Sequence, residues 1–385
     1  MQSALADTSY TVPTSALLFI VFSPHRLSYG PEQDCNFAVS VQEQAMAPVI
    51  TYCRTQQDAA RAASTLSRFP VLIVDCEARD LGMPGGALSL LALSDETASH
   101  IFLIDALAFP PCSTLPRDHP SLAPLLAILE NPSITKVFWD GRADALELLL
   151  TYGITLAGAL DLQLVEVVAR KRAADQRGDK HGPHELINGY FKPMKEEVLR
   201  NPAAYHGIFR LRGLGHVVGL FQLGGKDSGG LKDPEVVRMH ETLGSEFWMT
   251  RPLPQQLLTY AAHDLEMIAI VYAHFLRKAW FRDGLSKLKS QSSQYVAMFR
   301  TREDHTYYAE RDLKRFMPFG IIEDGRNAHR YFCSSCKREL TADCFTKNVK
   351  VAPGVRSKLQ RLSFCRLCNA IARKKGETEE DWIDF

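Results

Sequence analysis

What this chain lacks narrows the field first. It has no long apolar run: the stretch from Ala16 to Phe22 is apolar for seven residues, far short of the roughly 20 that a bilayer-spanning helix needs. No Lys or Arg precedes that stretch, so neither a secretory signal nor a transit peptide is expected. A surplus of charge is also missing, since 385 residues carry a formal net charge of only +1. The nine cysteines make no secreted disulfide framework: Cys35, Cys53, Cys76 and Cys112 are scattered, and the other five crowd from Cys333 onward. An odd count containing Cys-x-x-Cys pairs fits a reducing, intracellular compartment, nucleus or cytoplasm. The expectation is a chain in solution, with no membrane contact.

What is present is an ordinary globular composition, 46% hydrophobic and 23% charged, long enough for a sizeable core and a second unit. The small net charge hides an asymmetry. From Cys333 to Gly376 there are eleven Lys/Arg against two acids, Glu339 and Asp343, and from Glu377 to Phe385 five acids and no base. A near-neutral to acidic body thus carries a basic module, which suggests a polyanionic partner, most often nucleic acid. The acidic tail could compete for the same basic face.

Patterning gives an α/β order. Residues 1–47 are irregular. Val49–Cys53 reads as a strand, Thr55 as the N-cap of a helix to about Arg68, and Val71–Glu77 as a buried strand. Two further strands, 87–93 and 100–104, follow across short turns, as in an antiparallel meander. Then come a helix (121–130), a strand (135–138), a helix (142–152), and a short strand at Leu160-Asp161 leading into a helix from Leu162. That order describes a mixed sheet layered by helices. Residues 171–247 read as an inserted loop with basic Arg170-Lys171-Arg172, Arg177, Lys180 and His181, then amphipathic helices. A long helix spans 253–279, and 281–330 reads as a polar linker with one short helix.

The stretch Val71-Leu72-Ile73-Val74-Asp75-Cys76-Glu77 ends a β-branched run with two carboxylates on one face, because side chains alternate along a strand. Two carboxylates 4 Å apart repel by about 4 kcal/mol at an effective dielectric of 20, and a divalent cation is the usual compensation. Taken alone, the pair is equally a strand end with its acids in water. Trp139-Asp140-Gly141-Arg142-Ala143-Asp144 adds two acids at a helix start. Asp140 reads as an N-cap favoured by the helix dipole, and Asp144 lies on the face continued by the core residue Leu148. Tyr260 and Asp264 are four apart and share a face of the long helix.

These three segments, in this order, resemble the exonuclease motifs of the DEDD superfamily, in the branch with Tyr in the third motif represented by ribonuclease D. The local wording is similar to its Egalitarian and Exd1-like subgroup: Asp75-Cys76-Glu77, then Leu-Gly and Leu-Ser-Leu, Lys136-Val137-Phe138, Tyr152-Gly153-Ile154 and Leu160-Asp161-Leu162-Gln163. The resemblance covers residues 48–280. It implies a ribonuclease H-like (DnaQ-like) fold, a mixed five-stranded sheet flanked by helices. It also implies hydrolysis of nucleic acid, RNA or DNA, from a free 3' end, with release of nucleoside 5'-monophosphates. Asp75, Glu77 and Asp264 would hold one Mg²⁺ or Mn²⁺, Asp75 and Asp144 a second, and Tyr260 would orient the attacking water. The subgroup often has His where Trp139 stands here, and some of its members have lost catalytic acids and only bind RNA. Asp161 reads as a helix cap, and His263 as a solvent-facing residue beside Asp264.

Cys333-Ser334-Ser335-Cys336 and Cys365-Arg366-Leu367-Cys368 are two knuckles 28 residues apart. Two such pairs complete a tetrahedral site for one structural Zn²⁺ with no open position, and the metal would supply folding energy to so small a module, 331–376. Cys344 reads as a small core residue. The surrounding basic residues, Arg356 and Arg366 among them, suggest contact with nucleic acid, while a protein-docking ribbon is a comparable alternative. Three readings stand at this point: an exonuclease with a zinc ribbon-like module, a catalytically silent nucleic-acid binder of the same fold, and a zinc-ribbon scaffold.

Overall fold

The computed structural model describes residues 47–109, 122–177, 184–223, 233–323, 329–350, 358–377 and 381–385. The expectations for residues 1–46, for Lys180 and His181 in the inserted loop, and for Arg356 lie outside them. The body begins with β1 (Val49–Cys53), α1 (Gln56–Leu66), β2 (Val71–Arg79), β3 (Ala87–Asp95), β4 (His100–Asp105), α2 (Ala123–Glu130), β5 (Thr135–Phe138), α3 (Arg142–Tyr152), β6 (Ala159–Asp161) and α4 (Leu162–Gln176). It continues with α5 (His184–Ile187), α6 (Lys195–Arg200), α7 (Leu214–Leu220), α8 (Pro234–Leu243), α9 (Gln255–Leu276), α10 (Ala279–Asp283), α11 (Leu285–Val296) and α12 (Arg302–Glu310). The C-terminal module holds β7 (Arg330–Phe332), β8 (Glu339–Thr341), β9 (Phe345–Lys350), β10 (Lys358–Cys365), α13 (Arg366–Lys375) and β11 (Trp382–Asp384).

The main sheet has six strands in the order β1-β4-β3-β2-β5-β6. β2, β3 and β4 form the antiparallel meander, while β5 and β6 run parallel to β2. This is the mixed sheet flanked by helices that the sequence implied, with one correction. Five strands were expected from the resemblance, and the sixth is β1, which pairs parallel with β4 at the sheet edge. Thr55 caps α1 as read, in a reciprocal capping box with Asp58.

Strand alternation sorts the core. Leu72, Val74 and Cys76 of β2 pack on one side with α1 and α2, whereas Ile73 packs on the other with α9. Asp75 and Glu77 continue the Ile73 face towards α9. Near them the β2–β3 register slips between Glu77 and Ala78, so that Glu77 pairs with Leu90 and Ala78 with Leu88. Such a bulge bends the strand and re-aims side chains.

The segment expected to be a polar linker is largely helical and packed. α11 lies along the edge strand β6, and Ser292 Oγ accepts the Asp161 amide at 2.9 Å. Its buried stripe is Leu288, Gln291, Ser292, Tyr295 and Val296. Two of those five are polar, which is why hydrophobic periodicity did not expose it. In the module, β9, β10 and β11 form a three-stranded sheet. The acidic end is therefore partly a strand, with Asp384 opposite Gln360 and 3.2 Å from Lys358 Nζ.

Candidate active site and metal centres

β2 delivers Asp75 and Glu77 to one face, and α9 delivers Asp264 to the same place. One carboxylate oxygen from each lies within 4.8 Å of the other two. Asp264 is buried and Asp75 half-buried. Metal–oxygen bonds of about 2.1 Å set ligand oxygens roughly 3–4 Å apart, so small shifts of these side chains would suit a hard dication. Tyr260, one turn before Asp264, is buried, with its ring centroid 6.2 Å from that of Trp248.

The start of α9 is fixed by Arg251, which reaches Asp105 Oδ1 at 2.7 Å, Trp248 O at 2.8 Å and Ser89 O at 3.1 Å. This one guanidinium ties α9 to β3 and β4, and so sets the distance between Tyr260, Asp264 and the sheet. Nothing in the spacing of the sequence marked it beyond the Arg-Pro pair that opens the helix.

Asp144 joins differently. Pairing of β2 with β5 stops at Ile73 opposite Val137, which leaves the Cys76 amide without a strand partner on that side. Asp144 supplies one: its Oδ1 accepts the Cys76 N–H at 2.8 Å. It is buried, and burial together with the nearby Asp75 charge pushes its carboxyl well above the usual range. Asp144 therefore flanks the three-acid group without belonging to it. Asp140, read as a helix cap, sits instead at φ 59° one residue before the N-cap Gly141, and Arg142 donates to it at 2.6 and 2.9 Å. Asp161 caps α4 as read, accepting the amides of Gln163 and Leu164. His263, expected in solvent, is half-buried, with Nδ1 3.3 Å from Glu266 Oε2.

The loop after β2 is clamped from two sides. Glu147 of α3 accepts the Gly82 amide at 2.9 Å and pairs with Arg302 of α12, which also donates to Met83 O at 2.9 Å. At its other end α12 grips the first cysteine knuckle: the hydroxyls of Tyr307 and Tyr308 donate to the carbonyls of Ser335 and Cys336.

The sulfurs of Cys333, Cys336, Cys365 and Cys368 all lie within 4.8 Å of one another, and all four residues are buried. Zn–S bonds of about 2.3 Å in a tetrahedron fit that spacing. Hydrogen bonds from the other three thiols drive Cys333 down, whereas burial drives Cys365 up. A dication would replace this unequal sharing of protons with four thiolates. The Cys365 amide already points at Cys333 Sγ at 3.2 Å. Cys365 and Cys368 open α13. Cys344 stays outside the cluster, buried, with Sγ 3.1 Å from Glu323 Oε2. Among the described residues no helix is long and apolar enough to cross a membrane.

Comparison with known proteins agrees with the carboxylate geometry. Residues 50–200 match the 3'-5' exonuclease family. That stretch of the chain is similar to a 3'-5' exonuclease domain. Its Asp75, Glu77 and Asp144 all lie within the matched span, and Tyr260 and Asp264 follow it. "Exonuclease 3'-5' domain-containing protein 2" of Mus musculus is 25% identical over 220 residues, 57% of this chain and 26% of the mouse protein. The chain thus spans about a quarter of the length of that curated relative. Similar solved structures include Trypanosoma brucei RNase D, 21% identical over 66% of this chain and 73% of that one, with a TM-score of 0.45. Escherichia coli RNase D is 19% identical over 69% of this chain and 56% of its own, with a TM-score of 0.44.

Proposed function

We propose that the protein is a metal-dependent 3'-5' exonuclease that hydrolyses the terminal phosphodiester of RNA or DNA and releases nucleoside 5'-monophosphates. The observation that carries this reading is the meeting of Asp75, Glu77 and Asp264 oxygens within 4.8 Å at the end of the exonuclease-domain strand. Four carboxylates without Cys or His favour hard ions, Mg²⁺ or Mn²⁺. Asp75, Glu77 and Asp264 would hold one, and Asp75 with the outer oxygen of Asp144 the other. When bound, such a pair stabilises the attacking and leaving oxygens of an in-line displacement. The protein's own part is to orient. Tyr260 positions the attacking water through its hydroxyl, because a phenol is a poor base at neutral pH. Asp144 holds the backbone of Cys76 and so fixes the spacing of the two acids that flank it. The four cysteines would hold one structural Zn²⁺, and the module around them would contact nucleic acid or a protein partner.

A second reading, a silent nucleic-acid binder, is favoured by one observation: Asp144 is engaged with the Cys76 amide, outside the three-acid group. Digestion of 5'-labelled single-stranded RNA and its DNA equivalent with Mn²⁺ or Mg²⁺, beside the Asp75→Ala, Glu77→Ala double variant, separates the two. A descending ladder that the variant abolishes supports the nuclease, and the faster substrate names its class. Intact oligonucleotides that nonetheless shift on a native gel overturn it in favour of the binder.

A further inference from the structure

A pocket of about 480 Å³ opens beside α3, lined in part by Leu81, Asp140, Ala143, Gln163 and Gly213. It lies off the C-terminal ends of β5 and β6, since Asp140 follows β5 and Gln163 follows β6. The carboxylate group lies at the C-terminal end of β2, one strand over from β5. Adjacent strands are about 4.8 Å apart, so pocket and carboxylates are neighbours along one edge of the sheet. That edge is where ligands of open α/β sheets generally sit.

The charge of the pocket is one-sided. Arg142, Arg210, Arg212, Lys314 and Arg315 line it, and Asp140 is the one carboxylate among its lining residues. Three of those cations have protein partners: Arg142 pairs with Asp140, Arg212 with Glu166, and Arg315 with Asp312. Arg210 and Lys314 are exposed and make no ion pair among the described residues. Arg142 is 3% exposed, and its Nη1 has no hydrogen-bond partner there. A buried, unused guanidinium donor at a cavity is costly unless something accepts from it. α3 also starts here, with Gly141 at its N-cap and no side chain capping it, which adds partial positive charge. Gly141 is required at that turn, because a Cβ there would come 2.6 Å from the Phe138 ring.

We propose that this pocket is a phosphate-binding subsite that grips the backbone of the nucleic-acid strand a few nucleotides from the 3' end presented to Asp75, Glu77 and Asp264. The inference rests on the exonuclease reading for the identity of the strand. Arg210 and Lys314 supply screening charge at the rim, and Arg142, held flat by Tyr295 4.7 Å from its ring centroid, supplies a pre-set donor below. Phosphate contacts of this kind fix position and carry no base preference.

The test measures affinity in EDTA, so that turnover plays no part. Fluorescence anisotropy of a labelled single-stranded 12-mer is compared for the intact chain and the Arg210→Ala, Lys314→Ala double variant across a salt series. The expected result is a Kd raised about tenfold and a salt slope shallower by about 1.4, since each phosphate-neutralising cation contributes roughly 0.7 on single strands. Arg68→Ala, an exposed cation between α1 and the start of β2, at the end of the strands away from the pocket, serves as the charge control and should change the Kd less than twofold. A Kd and slope unchanged in the double variant overturn the subsite. A loss confined to binding of a nucleoside 5'-monophosphate, measured by calorimetry, assigns the pocket to released product and overturns the strand reading as well. If the intact chain binds the 12-mer but never degrades it with Mn²⁺, the exonuclease reading has failed while the subsite is still measured by its Kd.

Discussion

The carboxylate cluster hangs on a sheet whose two faces are covered by extensive apolar cores, whereas the thiol cluster is much of the core its own module possesses. Cys333, Cys336, Cys365 and Cys368 pack among Leu340, Phe345, Leu367 and Ile371, and that group runs on into Phe191, Tyr205 and Phe316 of the body. Asp75, Glu77 and Asp264 instead sit at the rim of a core already complete without them. A metal at the first site would therefore serve chemistry, and at the second it would serve folding. Three like charges held together cost stability, while four thiolates around zinc create it.

Four measurements sharpen or break this contrast. The largest effect is expected from Cys336→Ser. Apparent zinc binding energies in small modules are about 10–16 kcal/mol, so loss of a ligand should abolish zinc content and open residues 331–376 to limited proteolysis. The body should keep its cooperative melt, and a protease-resistant module without zinc would break the contrast. Asp75→Asn should do the opposite. Losing several kcal/mol of transition-state stabilisation lowers the degradation rate by on the order of 10³ or more, with no fall in thermal midpoint, because a like-charge repulsion is relieved. A destabilised Asp75→Asn protein would mean that the acids hold the fold.

Within the body, Arg251→Ala should cost about 3–5 kcal/mol in denaturant unfolding, since it strands the buried Asp105 carboxylate. The smallest effect is set by pH. Burial alone would raise Asp95, but hydrogen bonds from Thr97, His100 and Ser99 outweigh it and hold the carboxyl down to about 2. The stabilisation is complete above the unfolded value near 4 and is lost as pH falls towards 2, about 2 kcal/mol in all. Asp95→Asn should flatten that acid limb and leave the neutral-pH carboxylate chemistry untouched.

How far the sequence could be read differs between the same two regions. The carboxylate strand was legible because alternation forces Asp75 and Glu77 onto one face, and the thiol cluster because its ligands come in pairs at fixed spacing. The caps at Thr55 and Asp161 were legible for the same local reason. What resisted reading depends on contacts far apart in the chain. Asp144 finds the Cys76 amide only because β5 stops pairing at Ile73, a register fact that no local spacing encodes. α11 hides its buried face behind Gln291 and Ser292, polar residues that the fold satisfies internally. Arg142 and Lys314 are separated by 172 residues, and only the fold shows the Lys314 carbonyl accepting from the Arg142 guanidinium at 3.2 Å.

α12 gives the two centres a common ruler. Its nine residues span about 13 Å at 1.5 Å per residue, with Arg302 on the loop that follows β2 and Tyr308 on the carbonyl of Cys336. Oxidation of the knuckle's thiols would thus loosen one end of a strut whose other end steadies Gly82 and Met83. A change at the thiol cluster would then reach the loop that follows Asp75 and Glu77.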